Sequence, residues 1–420
     1  MSRSHPAQAS VRADLRGRLL RVRAIRVGVT VLLALALSAP AAAAWEPPAG
    51  AVFNDPMGTI EARWRIVHSV DEAIRGAQPG SRVLITSYYF DSESSADALI
   101  AAHGRGVQVQ VVVDGIHATT RQPLRIAAKV NADNIDPATG QPPLDAEGNP
   151  LRWGPDNSFV VFCQNSCRNV GGAMHSKFYV FTETGTAKDV VMVSSSNLNK
   201  GGAVKGWNDL YVIKGRPDIV ADYAAVHAEM AEDTARDGDQ YREFVRGEYT
   251  SRFFPRPGGG DPTYEDLANI RCRGATEGSG RNGRTAINIS MFTWFQERGI
   301  RLARRVAELG RLGCAVSVIY GAPGVEVRSI LKTAARRGHI SLWNSRRLDR
   351  GLVRTHEKYY LVNGVYGDDT SSWRVHAGSQ NWVNLSDHAD ENTLNIESRV
   401  AYAQYLRNWS QVRKWSMRVG

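Results

Sequence analysis

The pattern of apolar and polar positions along this chain occurs twice. Residues 82–90, RVLITSYYF, are β-branched and aromatic and predict a buried strand. SSADALIAAHGRG follows as a helix stopped by glycine, and VQVQVVVDG as a second strand. Much later TAINISMFTWF predicts a strand, GIRLARRVAELGRLG a glycine-stopped helix, and CAVSVIYG another strand. ITSYYF lies against NISMFT, and RGVQVQVVVDG against LGCAVSVIYG. Each half then reaches a strand carrying His-x-Lys, AMHSKFYV at 173–180 and RTHEKYYL at 354–361. A strand ending in a small-residue turn comes next, VVMVSSSNLN in one half and WRVHAGSQNWVN in the other. An acid follows, Asp209 at 34 residues past His175 and Glu391 at 35 past His356. Recurrence of the whole series in order is an internal duplication. Strands alternating with helices predict an α/β fold: two homologous halves, each a mixed sheet flanked by helices, packed about a pseudo-twofold axis around one shared site.

The halves are expected at 45–250 and 251–420, with the divider within 245–262, where FFPRPGGGDPT breaks the pattern. Residues 220–247 read as helical. Residues 131–157, rich in Pro, Gly, Asn and Asp, read as a long loop beside the first site. Residues 1–44 differ from the rest: arginines precede VGVTVLLALALSAPAAAA, a basic, then apolar, then small-residue series that reads as a secretory signal peptide cleaved after Ala44. A secreted, extracellular protein is expected.

Removal of that segment changes the charge argument. The formal net charge is +10, but residues 1–44 carry seven Arg and one Asp, so the remainder is only about +4. Bulk charge therefore says little for nucleic-acid binding. Four cysteines, Cys163, Cys167, Cys272 and Cys314, suit disulfides in an exported chain. Their spacing lacks a zinc pattern. One bridge per half, 163–167 and 272–314, is the pairing a modular duplication predicts.

Alternate strand residues share a face, so His175 and Lys177 project together, as do His356 and Lys358. The turns add Ser195 and Asn197, then Ser379 and Asn381. If these converge, two imidazoles, two ammonium groups, two amides and two hydroxyls surround one tetrahedral oxyanion. Lys177, Lys358, Ser195 and Ser379 are the expected phosphate ligands. One imidazole attacks phosphorus and the other protonates the departing alkoxide. Asp209 and Glu391 suit the task of holding the imidazole tautomers. One His-x-Lys alone would more often be a solvated surface strand; two in a repeated frame point to a site. Aromatics near the expected mouth, among them Tyr88, Trp207, Trp294 and Trp382, serve equally as strand packing, as an acyl-chain rim or as base-stacking surfaces.

On these motifs the chain resembles the phospholipase D superfamily, whose pattern is a duplicated H-x-K-x4-D with G-S-x-N. The resemblance spans roughly 50–415. It implies two α/β halves with one active site, phosphohistidine chemistry and no required metal or other cofactor. It implies His175 as nucleophile and His356 as general acid and base. Two departures stand out: the family aspartate is replaced by Thr182 and Asn363, and the first motif glycine by Ser194. Loss of that aspartate is usual in the tyrosyl-DNA phosphodiesterase branch. The expected activity is hydrolysis of the distal phosphodiester of a glycerophospholipid, at a membrane surface or in micelles, to phosphatidic acid and alcohol. The rivals are a secreted nuclease or DNA phosphodiesterase, a transphosphatidylase of the phospholipid-synthase kind, and a decayed, lipid-binding member. Duplication within one chain lets a monomer build the site without a protein partner.

Overall fold

The computed structural model describes residues 45–130, 139–140, 157–235 and 240–420. The expected signal peptide, and most of the expected loop at 131–157, lie outside the described residues. The first half runs β1 (Gly50–Phe53), α1 (Ile60–Gly76), β2 (Arg82–Ser87), α2 (Glu93–Gly104), β3 (Gln108–Asp114), α3 (Arg121–Val130), β4 (Phe159–Cys163), β5 (Phe178–Thr184), β6 (Ala187–Ser194), α4 (Lys200–Lys205), β7 (Gly206–Trp207), β8 (Asp209–Ile213) and α5 (Pro217–Ala231). The second runs β9 (Arg242–Arg246), β10 (Tyr249–Phe253), α6 (Pro262–Ala268), β11 (Ile270–Arg271), β12 (Ala286–Trp294), α7 (Gln296–Arg311), β13 (Ala315–Pro323), α8 (Val325–Arg336), β14 (Ile340–Asn344), β15 (Arg354–Thr355), β16 (Lys358–Tyr366), β17 (Asp369–Gly378), β18 (Asn392–Glu397), α9 (Arg399–Trp415) and β19 (Met417–Val419).

Two mixed sheets result. The first has the order β1-β8-β6-β5-β2-β3-β4, and the second contains β10-β18-β17-β16-β12-β13-β14. The two series match strand for strand. In both, the two steps at the end formed by β4 or β14 are parallel and the other four are antiparallel. The parallel strands are buried on both sides, which is why VQVQVVVDG is nearly continuously apolar. α5 lies on the first sheet and α9 on the second, and their apolar faces merge with both sheets into one core that includes Phe178, Tyr223, Tyr359, Tyr405 and Trp409. α1 and α2 cover the opposite face of the first sheet, and α7 and α8 that of the second. Caps set the helix starts: Thr59 Oγ1 accepts from Ala62 N, and Ser398 Oγ from Ala401 N.

Three details differ from the sequence reading. The helical run expected at 220–247 ends at Ala231, and 242–246 is strand. That strand pairs with β10, and β10 with β18, so the chain enters the second sheet at residue 242, ahead of the expected 250/251 divider. Alternating polar residues in REFVR suit a sheet edge, not a helix. The repeat is also shifted by one residue: Ile85 and Ile289 face equivalent tyrosines of the H-x-K strands, Tyr179 and Tyr360, so ITSYYF matches ISMFTW. Both disulfides form as expected, Cys163–Cys167 and Cys272–Cys314. Among the described residues no helix is long and apolar enough to cross a membrane.

Candidate active site

Each histidine is set by a short backbone exchange with the other half. His175 N donates to Asp390 O at 2.8 Å, and Asp390 N donates back to Ala173 O at 2.9 Å. His356 N donates to Trp207 O at 2.9 Å, where β15 pairs in parallel with β7. The residue after each of these acceptors then reaches the ring. Glu391 Oε2 lies 2.8 Å from His175 Nδ1, and Asn208 Oδ1 lies 2.8 Å from His356 Nδ1. An oxygen acceptor on Nδ1 holds the proton there and leaves Nε2 to face the site. The four H-x-K side chains are near enough to act on one another electrostatically: Lys358 lowers the His175 pKa, and Lys177 and His175 lower that of His356.

Glu391 therefore stands against a motif imidazole, whereas the Asp209 side chain turns to the core. Asp209 corresponds to Asn392, since Ser195 N and Ser379 N donate to their respective carbonyls. The residue equivalent to Glu391 is Asn208. One position of register moves Asp209 off the site face, and its carboxylate accepts from Tyr405 OH at 3.0 Å in the core. Ser195 and Ser379 also differ from expectation. Both are fully buried, and their hydroxyls face the orienting residues: Ser379 Oγ donates to Glu391 Oε2 at 2.5 Å, and Ser195 Oγ to Asn208 Oδ1 at 3.3 Å. Each also accepts a backbone N–H from β18 or β8. Their hydroxyls are thus taken up by the side chains that meet the two imidazoles.

Asn197 and Asn381 line cavities that contain His356 and His175 respectively. Asn197 Oδ1 accepts from Tyr89 N at 3.2 Å, which turns its amide N–H groups away from that contact. The lysines reach back along their own strands, each Nζ 2.5 Å from the carbonyl of its motif histidine. Burial pushes Lys177 down to about 7, against the pull of Glu391 and Asp114. Burial and the Lys177 charge hold Lys358 well below an ordinary lysine. Burial lowers both histidines. Glu391 opposes this at His175, whereas at His356 Lys358, Lys177, His175 and Arg354 add to the effect of burial, and the pKa falls well below its ordinary value. Burial would raise Glu391, but His175 and Lys177 outweigh it and keep the carboxyl below the usual range.

The replaced family positions are structural. Thr182 Oγ1 accepts from Arg82 N at 2.8 Å, and Asn363 Oδ1 from Gly280 N at 2.7 Å. Gly378 has φ +143°, and a Cβ there would lie 2.3 Å from Asn392 O, so the GSQN turn requires glycine.

Several residues that shape the site were not singled out by sequence. Asp390, fully buried, accepts from Arg168 Nε at 2.8 Å, Ser166 Oγ at 2.6 Å and Cys167 N at 2.6 Å. This ties the Cys163–Cys167 loop to the segment that delivers Glu391. Asp114 accepts from Met174 N at 2.8 Å and fixes the approach to His175 from the other side. Phe292 packs on His356 with ring centroids 4.7 Å apart, as Tyr88, one of the aromatics expected at the mouth, packs on His175 at 5.1 Å. A buried acid beside a motif acid, as in Asp390-Glu391, was the available signal. A surface cleft of about 920 Å³ along α7 contains none of the motif residues.

Two matching sheets, with an H-x-K pair delivered by each half, are the arrangement that the resemblance to the phospholipase D superfamily implies. Residues 70–231 match the family described as "Cardiolipin synthase, PLD-like domain", and the duplicated motifs resemble those of the phospholipase D superfamily. No curated protein sequence matches it. Among solved structures it is similar to the phosphatidylserine synthase of Haemophilus influenzae, with a TM-score of 0.54 and 15% identity over 90% of this chain and 88% of that one. It is also similar to the polyphosphate kinase of Porphyromonas gingivalis, with a TM-score of 0.51 and 11% identity over 86% of this chain, spanning 50% of the kinase. At such identities the likeness is one of fold.

Proposed function

We propose that the protein cleaves the distal phosphodiester of phospholipids through a phosphohistidine on His175. The observation that carries this is the unequal pair of Nδ1 partners: a carboxylate at His175 and an amide at His356. When Nε2 attacks phosphorus the ring becomes cationic, and Glu391 stabilises that charge where an amide would not. Asn208 holds the Nδ1 proton of His356 without adding charge; the bound phosphodiester anion favours a second proton on Nε2, and the low pKa of His356 makes that proton readily given to the departing alkoxide. Lys177 and Lys358 neutralise the phosphate oxygens, and the amides of Asn197 and Asn381 supply directed donors. In the second half-reaction His356 takes the proton from water, or from an acceptor alcohol, as the N–P bond breaks.

The His175 mouth is lined by Ala173, Val383, Leu385 and Ala389 beside Tyr88, which favours a lipid over a nucleic-acid strand. The decisive experiment offers the purified full chain phosphatidylcholine, phosphatidylglycerol and single-stranded DNA side by side, with ethanol present. Lipid cleavage with formation of phosphatidylethanol is expected. Inert lipids with rapid DNA cleavage would replace the reading with a nuclease.

A further inference from the structure

The duplication gives the site two equivalent mouths, and they have diverged in opposite chemical directions. The mouth beside His175, about 210 Å³, and the mouth beside His356, about 270 Å³, are lined by matching positions of the two halves. The register follows from the motifs and the backbone exchange: Met174 pairs with Asp390, as Thr355 pairs with Trp207. Asn381 thus corresponds to Asn197, and Tyr88 to Phe292. The remaining pairs do not conserve character. Ala173 is replaced by Arg354 and Ala389 by Gly206. Val383 is replaced by Asn199, and Leu385 by Gly201.

Arg354 is held over the Phe292 ring, 4.7 Å from its centroid, next to His356. Lys205 lines the same mouth. Neither cation has an acidic partner among the described residues, and no Asp or Glu lines this mouth. Burial and the nearby Arg346 lower the Arg354 pKa, as expected where cations gather without counter-charge.

We infer that the His356 mouth is a subsite for an anionic alcohol: the leaving group, and the acceptor that returns, carry a phosphate or carboxylate recognised by Arg354 and Lys205. This rests on the proposed roles of the two histidines. In-line displacement puts the leaving oxygen on the side opposite His175, so the alcohol departs past His356. The bond from phosphorus to that oxygen breaks as the bond to His175 Nε2 forms, and the His356 proton goes to the alkoxide. In return, an acceptor oxygen bonds phosphorus, its proton passes to His356, and the N–P bond breaks. The retained lipid portion faces the apolar mouth.

The test uses the full chain in mixed micelles with three lipids that share acyl chains: phosphatidylglycerol phosphate, phosphatidylglycerol and phosphatidylcholine. Their leaving alcohols are anionic, neutral and cationic. The expected order of kcat/KM is the same, with roughly tenfold or more between first and last, the scale of a hydrogen-bonded charge contact. Arg354→Gln should bring the ratio of the anionic to the neutral substrate close to one, and Lys205→Gln should lower it less. With phosphatidylglycerol as donor, glycerol 3-phosphate should capture more phosphoenzyme than equimolar glycerol. Equal or faster cleavage of phosphatidylcholine, or an unchanged ratio in Arg354→Gln, overturns the subsite while leaving the histidine chemistry in place. Absence of a labelled phosphoenzyme from all three lipids overturns the proposed function and this inference with it. Faster cleavage of single-stranded DNA also overturns it, because a DNA strand presents charge on both sides of the phosphorus.

Discussion

Glu391 Oε2 lies 2.8 Å from His175 Nδ1, joining residues 216 positions apart that lead into strands of different sheets. The equivalent place beside His356 is taken by the Asn208 amide at the same distance. Exchanging charge at these two positions should affect the reaction differently. Glu391→Gln keeps the acceptor but removes the charge that offsets a cationic phosphohistidine, and is expected to lower kcat by roughly 10⁴-fold, the scale seen when a carboxylate behind a histidine is neutralised. Asn208→Asp adds a negative charge beside His356 and raises its pKa. Activity that needs protonated His356 should then persist to higher pH. A pH–rate profile checks this, and an unmoved alkaline limb would contradict the acid role.

The two histidines should fail in different ways with a p-nitrophenyl phosphodiester, whose leaving group needs no proton. His356→Ala is expected to give a burst of p-nitrophenol and a stalled phosphoenzyme, since attack by His175 remains but the water is not activated. His175→Ala should give no burst. The opposite pattern would reverse the assignments, and a burst from neither folded variant would remove the covalent intermediate.

Lys177, pushed down to about 7 by burial, is mostly neutral at pH 8 in the unliganded protein. A phosphate or vanadate oxyanion beside it favours the ammonium form, as it does for the likewise depressed Lys358, so binding at pH 8 should take up protons, and fewer as the pH falls below 7. Calorimetry in buffers of different ionisation enthalpy measures this uptake. Equal heats in all buffers would show that Lys177 is already charged.

Arg168 and Asp390 form a fully buried ion pair. Arg168→Met leaves the Asp390 carboxylate buried without its cation, and should cost about 3–5 kcal/mol of stability. Asp390→Asn on that background is expected to recover part of the loss. Because Asp390 carries the carbonyl that receives His175 N, the single variant should also lower kcat more than it changes KM under conditions where it remains folded. A kcat that stays at the wild-type level would confine the pair to stability.

The order of strands and helices, the duplication and the two H-x-K motifs were legible in the sequence, because period-two and helical patterns and fixed motif spacings are local properties of the chain. The disulfides were legible too: Cys163 and Cys167 share one short loop, and the remaining two cysteines fall in the other half. Local pattern could not distinguish Asn208 from Asp209 as the residue that meets His356, because a shift of one position along a strand exchanges site face for core face, and only the pairing of β8 with β6 sets that register. It could not show that Ser195 and Ser379 face the orienting groups, that the hairpin at 242–253 joins the second sheet, or that Ala173 and Arg354 stand at matching mouths. Those facts depend on contacts between residues far apart in the chain. Such contacts form only when the two sheets close on α5 and α9, and burial there decides which polar side chains must find one another.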